Sequence, residues 1–130
     1  MPSTGLHFPI KRIYEPVGNG DGTRVLVDRL WPRGVSKAEA HIALWLKDVA
    51  PTPLLRKWFG HDPVRWVDFR RRYRDELERN AAAVAQLRDL AAAGPLTLIY
   101  AAHDPVHNHA RVLAEYLEAD TEAGHAKPSK

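Results

Sequence analysis

The pattern of apolar and polar positions along the chain predicts three short strands. The first covers residues 10–15, where isoleucine and tyrosine favour extended backbone. The second covers residues 24–31, and its apolar run 25–27 does not alternate with polar residues, which is typical of a strand covered on both faces. The third is the apolar, β-rich segment 96–101, which follows a Gly-Pro break.

A helix is predicted directly after the second strand. Ser36 is a good N-cap residue, and Glu39 three positions later completes a capping box. Pro51 ends the segment, because a proline removes a backbone donor. The apolar positions of this segment lie at helical spacing: Ile42, Trp45, Leu46 and Val49.

Four further helices are predicted from their start signals and apolar stripes. Three begin with a cap residue followed by proline, at positions 52–53, 62–63 and 104–105. The second of these is long, and its stripe is Trp66, Phe69, Tyr73 and Leu77. Asn80 is expected to cap the helix between the long one and the Gly94-Pro95 break.

The order of elements predicts an α/β fold with a small, mainly parallel sheet and helices on both faces. The helical connection between the second and third strands is long enough for a parallel pair. A chain of 130 residues fits a single domain, expected over residues 5–118. Residues 1–4 and 119–130 have no apolar period and are expected to be flexible tails.

Composition excludes several chemistries. The chain has no cysteine, which rules out disulfides, zinc–thiolate sites, iron–sulfur clusters and a cysteine nucleophile. The net charge of +3 is a weak indication of an anionic partner. Neither a membrane span nor a secretory signal is recognisable, so a cytoplasmic protein is expected. No motif predicts a bound metal or cofactor, and the oligomeric state stays open.

The order of elements also predicts where a site lies. In open parallel sheets, ligands bind beyond the carboxyl ends of the strands. Segments 28–34 and 103–109 occupy that position here, and they meet if the two strands are neighbours. The polar residues of these segments are the candidate ligand-binding residues: Asp28, Arg29, Arg33, His103, Asp104, His107, Asn108 and His109.

Two of these residues are candidate catalytic groups. Asp28 or His107 could act as a general base, although Asp28 could equally pair with a neighbouring arginine and hold its loop. Asp104 has the ordinary role of a helix N-cap. His103 and His107 have the spacing of two metal ligands on a helix, but Pro105 places His103 before the helix, so no metal site is predicted.

Basic residues supply two further alternatives. Arg24, Arg29 and Arg33 have side chains whose two-pronged geometry suits phosphate or carboxylate, although packing of their stems would explain them too. The segment 56–62 mixes basic and aromatic residues, as nucleic-acid-binding surfaces do, and residues 70–72 are three consecutive arginines. Aromatic packing in the core and a solvated helix face are the simpler explanations of those segments.

Several long segments resemble the YeaO-like proteins, a domain-of-unknown-function family (DUF 488). These segments are RVLVDRLWPRG, WLKDVAP, LRKWFGHDP, FRRRYRDEL and LTLIYAAHDPVHNHA. The resemblance implies a small cytoplasmic α/β domain of bacterial type and brings no known reaction. The family's Asp-Arg element followed by proline matches Asp28, Arg29 and Pro32. Its second signature segment matches His103, Asp104, His107, Asn108 and His109.

The leading hypothesis is an anion- or nucleotide-binding α/β domain with a polar pocket at the strand ends. Arg29 and Arg33 would hold a phosphate group, and His107 and Asn108 would complete the pocket. The alternative is a regulatory or nucleic-acid-associated interaction module without catalysis, which would use Arg56, Lys57, Trp58 and the face at 70–72. An interaction domain without a small ligand is a third possibility.

Overall fold

The computed structural model describes residues 6–126, and of residues 120–126 it describes the backbone alone. The predicted tail residues 1–4 and the last residues, 127–130, lie outside this range. The strands and α-helices are β1 Ile10–Arg12, β2 Thr23–Leu26, α1 Lys37–Ala40, β3 Leu44–Trp45, α2 Pro53–Phe59, α3 Trp66–Glu78, α4 Ala81–Ala93, β4 Leu96–Tyr100 and α5 His109–Ala126. Short 3-10 turns cover Asn19–Asp21, Lys47–Val49 and Pro63–Arg65.

The four strands form one parallel sheet in the order β1-β4-β2-β3. Val25 of β2 lies opposite Leu98 of β4, and Ile10 of β1 lies opposite the same leucine on its other side. The long helical connection therefore joins two neighbouring parallel strands, as predicted. The α/β fold class is confirmed.

The two faces of the sheet are covered unequally. Val25 and Leu98 point into the larger apolar cluster, which contains buried side chains from α2, α3, α4 and α5. Leu26 and Ile99 point to the other face, because successive strand residues alternate. That face is covered by Ala40 of α1 and by half-buried side chains that include Trp31 and Trp45.

The predicted helix over residues 36–51 is wrong beyond its first turn. Ser36 does cap α1, with its Oγ accepting the Glu39 N–H at 3.0 Å, but α1 ends at Ala40. His41 then adopts a left-handed backbone with φ 51°, which cannot continue a helix. Residues 44–45 form strand β3, where the Leu46 N–H donates to the Leu26 carbonyl at 2.9 Å. The backbone of residues 44–46 therefore pairs with the edge of β2 that β4 does not occupy.

The last helix also differs from its prediction at both ends. It begins at His109, because the Asp104 carboxylate closes a separate turn and Asn108 accepts the Arg111 N–H at 2.9 Å. It continues to Ala126 instead of ending near residue 118. Asn80 does not cap α4 with its side chain, which donates to the Asp48 carbonyl at 2.8 Å. Within residues 6–126, none of the helices has the length and apolar character needed to span a bilayer.

Candidate functional site

A pocket of about 580 Å³ opens beyond the carboxyl ends of β2 and β4. Its walls come from three parts of the chain: the loop after β2, the segment from residue 50 through α2 to residue 61, and the loop that follows β4. Phe59 and Phe69 form its apolar floor and belong to the main core. The pocket is where the order of strands predicted a ligand site.

The two predicted site segments meet through Asp28 and His109. Asp28 Oδ2 accepts the Ala101 N–H at 3.1 Å, and Asp28 Oδ1 lies 3.2 Å from His109 Nε2. The same His109 nitrogen lies 3.0 Å from the Val27 carbonyl oxygen. Because both neighbours are acceptors, His109 Nε2 carries a hydrogen. Asp28 thus holds the ends of β2, β4 and α5 together.

Asp28 is poorly placed to act as a general base. Its Oδ1 is buried beneath His109 without a well-aligned hydrogen bond, and its Oδ2 is used by the Ala101 N–H. A general base needs an oxygen within hydrogen-bond reach of a substrate proton. The arrangement fits a positioning role for this carboxylate.

Cationic and imidazole groups make up most of the polar side chains in the pocket lining. They are Arg29, Arg56, Lys57, His61, His107 and His109, and the lining contains one carboxylate, that of Asp28. The permanent charges of the lining are therefore mainly positive. Clefts lined by one sign of charge concentrate ions of the opposite sign, because the surrounding protein has a low dielectric constant.

Arg29 is half-buried at the pocket wall and holds the segment that precedes α2. Its Nη2 donates to the Ala50 carbonyl at 3.1 Å, and its Nε donates to the Pro51 carbonyl at 3.3 Å. These bonds leave the guanidinium charge without a carboxylate partner in the hydrogen bonds that the structure shows. A charged side chain that is already held in place loses little conformational entropy when an anion binds to it.

His107 is oriented by Asp104. Its Nδ1 lies 2.8 Å from Asp104 Oδ2, while Asp104 Oδ1 accepts the backbone N–H groups of Val106 and His107. These backbone bonds, that of His107 first, lower the pKa of the Asp104 carboxyl to about 2. The His107 ring also meets the Trp66 ring edge-on at 5.1 Å. His107 lines the pocket, and because its Nδ1 faces Asp104, its Nε2 is the ring nitrogen that Asp104 does not use.

The structure brings five of the predicted site residues to the pocket lining and leaves three outside it. Asp28, Arg29, His107, Asn108 and His109 line the pocket. Asp104 lies behind His107. Arg33 is exposed, and its backbone carbonyl accepts the Tyr14 hydroxyl at 3.3 Å. His103 is exposed and lies 3.4 Å from an Arg12 nitrogen, away from the lining.

Arg24 lies at the opposite end of the sheet and cannot serve this pocket. Its side chain is only 3% exposed, and its Nη1 donates to Asp21 Oδ2 at 2.5 Å. Lys11 Nζ reaches the other oxygen of Asp21 at 3.0 Å. The backbone N–H of Gly18, followed by the Lys11 and Arg24 side chains, lowers the pKa of Asp21 to about 2 against the opposing effect of burial. This cluster is structural.

Sequence reasoning missed the contribution of α2 to the pocket. Arg56, Lys57 and His61 line it, although the sequence linked the first two with nucleic acid. Only the folded arrangement brings α2 over the strand ends, because these contacts join residues far apart in the chain. The Thr52-Pro53 start signal located the helix correctly, with Thr52 Oγ1 accepting the Leu55 N–H at 3.3 Å.

The basic and aromatic surface of α2 and α3 is largely occupied by internal contacts. Phe59 is buried in the core, and the Arg72 guanidinium lies 4.4 Å from the centre of the Trp58 ring. Arg70 pairs with Glu115 at 2.6 Å, and Arg71 lies 3.4 Å from Asp68. Within the described part of the chain, no three histidine or carboxylate side chains come together in a metal-binding arrangement.

Comparison with known proteins identifies the family. The chain belongs to the family whose model is described as the inactive DUF488-N3 subclade, which matches residues 7–130. An uncharacterised protein of Mycobacterium tuberculosis is 43% identical over 108 residues, which cover 83% of this chain and 91% of the relative. The uncharacterised protein YeaO of Escherichia coli K12 is 40% identical over 114 residues, covering 88% of this chain and 99% of YeaO. No solved structure gives a significant match.

These matches confirm the predicted resemblance to the YeaO-like proteins. They cover the loop after β2, helix α2 and the loop after β4, the three parts of the chain that form the pocket walls. The two relatives are described only as uncharacterised, so they bring no reaction or ligand to this chain.

Proposed function

We propose that this protein is a small, non-catalytic binding domain whose pocket at the strand ends takes a phosphate-bearing anion. The single observation that supports it best is the charge of the lining. Arg29, Arg56 and Lys57 are permanently positive, whereas Asp28 is the one carboxylate among the lining residues, and its two oxygens face His109 and the Ala101 N–H. Arginine and lysine side chains that converge on a cleft are suited to phosphate.

The size of the pocket supports a small molecule. A cavity of about 580 Å³ falls within the roughly 300–1,000 Å³ common for ligand sites. Its position at the carboxyl ends of parallel strands is where α/β domains bind their ligands. The phosphate would lie near α2, since two of the cations belong to that helix.

Three observations favour binding without catalysis. The matching family model is described as an inactive subclade. The Asp28 carboxylate has one oxygen buried and the other bonded to backbone. Nucleophiles are scarce, because the chain has no cysteine and Ser36 caps α1. Covalent catalysis requires an activated nucleophile beside a base.

The nucleic-acid alternative has less support. The Trp58 ring, which would stack a base, has the Arg72 guanidinium over it, and Phe59 is buried. Arg70 and Arg71 are paired with carboxylates of the protein itself. Arg56 and Lys57 line the pocket, which suits a small anion better than an extended strand.

Calorimetric titration with inorganic pyrophosphate at low salt tests the proposal. We expect saturable binding of one pyrophosphate by the unmodified protein. The double substitution Arg56→Gln and Lys57→Gln should weaken it at least about tenfold, because two charge-assisted contacts are lost. Both side chains are exposed, so the fold should tolerate the change.

Arg33→Gln is the matched control. It removes an exposed positive charge from a residue beside the pocket whose side chain does not line it. Unchanged affinity in this variant, with weakened binding in the double variant, supports the pocket as the binding site. If Arg33→Gln, which removes one charge where the double variant removes two, loses about half as much binding free energy as the double variant, pyrophosphate follows net charge alone. Absence of binding to the unmodified protein would reject the proposed function.

A further inference from the structure

We propose that the pocket takes a phosphomonoester that carries a planar aromatic group, of the nucleoside monophosphate class. This inference rests on the proposed function and deepens it. The observation behind it is that the pocket has two unlike walls: a cationic wall next to α2 and an apolar wall formed by the loops that follow β2 and β4.

The apolar wall contains no charged side chain, and its one side-chain hydrogen-bonding group, Trp31 Nε1, is bonded to the Val35 carbonyl. Its residues are Leu30, Trp31, Pro32, Ala101 and Ala102. Trp31 and Ala101 both pack on the face of the sheet that lies opposite the main core. The loops after β2 and β4, to which they belong, therefore lie side by side. Leu30 is 65% exposed, which is costly for a leucine and leaves its side chain available to cover a ligand.

The cationic wall lies on the other side of the pocket. The His107 ring contacts the Trp66 ring, and Trp66 in turn lies 5.9 Å from the Phe59 ring of α2. These contacts place His107 on the side of the main core, next to the helix that presents Arg56 and Lys57. A bound phosphate would contact this wall.

Trp31 is suited to hold a flat ring because its own position is fixed. Its Nε1 donates to the Val35 carbonyl at 2.7 Å, and its ring meets the Trp45 ring edge-on at 5.5 Å. Lys37 Nζ lies 5.7 Å from the centre of the Trp31 ring, so a ligand would contact the part of the ring that Lys37 and Trp45 leave uncovered. An aromatic surface held in this way binds planar groups with little loss of its own freedom. Since its one polar atom is already bonded, we expect contact by burial and stacking, with weak discrimination between bases.

A phosphate group alone would leave much of the pocket unfilled. The volume of about 580 Å³ fits a molecule of mononucleotide size, and the apolar wall has no role in binding a bare phosphate. The two walls together fit a ligand with one charged end and one flat, aromatic end whose face lies on the apolar wall.

Calorimetric titration with AMP, ribose 5-phosphate and adenosine tests this inference. AMP should bind about tenfold more tightly than ribose 5-phosphate, because one stacked base contributes about that factor or more. Adenosine should bind more weakly than AMP, because it lacks the phosphate. GMP and UMP should bind within a few-fold of AMP.

Two leucine variants give the matched comparison. Leu30→Ser should bring the affinity for AMP down toward that for ribose 5-phosphate, and it should leave the ribose 5-phosphate affinity unchanged. Leu54→Ser is the control, because Leu54 is 82% exposed and lies outside this pocket. Both positions are exposed, so neither change removes a core side chain.

The outcomes separate this inference from the proposed function. If pyrophosphate binds as expected but AMP is no tighter than ribose 5-phosphate, the apolar wall has no part in binding and the inference fails alone. If Leu54→Ser weakens AMP as much as Leu30→Ser does, the assignment of the wall is wrong. If neither pyrophosphate nor AMP binds, both proposals fail.

Discussion

At the scale of single residues, Gly22 shows how closely the chain approaches itself at the amino end of the sheet. Its φ is 65°, a conformation that side chains rarely adopt, and a Cβ atom there would overlap the Pro95 carbonyl. That carbonyl accepts the Thr23 N–H at 2.9 Å and begins the pairing of β2 with β4. Only glycine tolerates both the positive φ and the close approach of the Pro95 carbonyl.

Gly22→Ala should therefore lower the free energy of unfolding by more than about 2 kcal/mol, since strain in φ and a backbone clash add together. Urea denaturation followed by circular dichroism measures this. Gly34 provides a control, because its φ is 73° but the space around it is open, so Gly34→Ala should cost only about 1–2 kcal/mol. Equal losses at both positions would contradict the proposed clash with Pro95.

At the scale of elements, a buried charge cluster joins β1, the turn Asn19–Asp21 and β2. Lys11 and Arg24 both donate to the Asp21 carboxylate, which also accepts the Gly18 N–H at 3.0 Å. Thr97 of β4 adds a hydrogen bond from its hydroxyl to the Asp21 carbonyl at 2.8 Å. The cluster fixes the amino end of three strands in one place.

Removing the charge of Asp21 should be strongly destabilising. Asp21→Asn leaves the buried Arg24 guanidinium without its carboxylate partner, and breaking a buried pair in this way costs about 3–5 kcal/mol. Chemical denaturation at pH 7 measures the loss. Asp68→Asn is the control, since its pair with Arg71 is exposed and should be worth about 0–1 kcal/mol. Similar losses in the two variants would contradict the structural role of the cluster.

The pH dependence of stability should follow the same carboxylate. The pKa of Asp21 is lowered from 3.8 to about 2 in the folded protein, so the unfolded chain binds its proton first as the pH falls. Its contribution is present above about pH 4 and is lost as the pH falls toward 2. The stability difference between the unmodified protein and Asp21→Asn should therefore shrink over that interval. A difference that is constant from pH 5 to about pH 2 would contradict the lowered pKa.

Elements also show where sequence patterns succeed and fail. Strand β4 and helices α2, α3 and α4 could be predicted from their apolar patterns, and in α2 the Thr52-Pro53 start signal agrees with the pattern. Residues 42–49 could not be, since their apolar spacing also fits a helix. The left-handed His41 and the open edge of β2 decide the outcome, and both depend on the folded arrangement.

The sequence also predicted one part of the candidate site and missed another part. The rule for parallel sheets located Asp28, Arg29, His107, Asn108 and His109, which follow the strands directly. It could not locate Arg56, Lys57 and His61, because only the packing of α2 brings these residues to the pocket. The same rule placed Arg33 and His103 in the site. Both are exposed and lie outside the pocket lining, because the turns on which they lie point them outward.

At the scale of the whole molecule, the two ends of the sheet have different roles. The amino end holds a charge cluster in which Lys11 and Arg24 both donate to the Asp21 carboxylate. At the carboxyl end, arginines fix the loops around the pocket: Arg12 donates to the Ala101 and Ala102 carbonyls, and Arg111 donates to that of Pro105. One end stabilises the fold, and the other presents unpaired positive charge in a cleft whose loops are held in place.

The most direct test of this account is a nuclear magnetic resonance titration of the uniformly ¹⁵N-labelled protein with pyrophosphate. The account predicts that the amide shifts change in the loop after β2, in α2 and in the loop after β4, and not around Asp21 at the other end of the sheet. If the amide shifts of all three segments saturate with the same dissociation constant, a single pocket is supported. Small, unsaturated changes spread over exposed lysines and arginines, with the pocket unmoved, would contradict it.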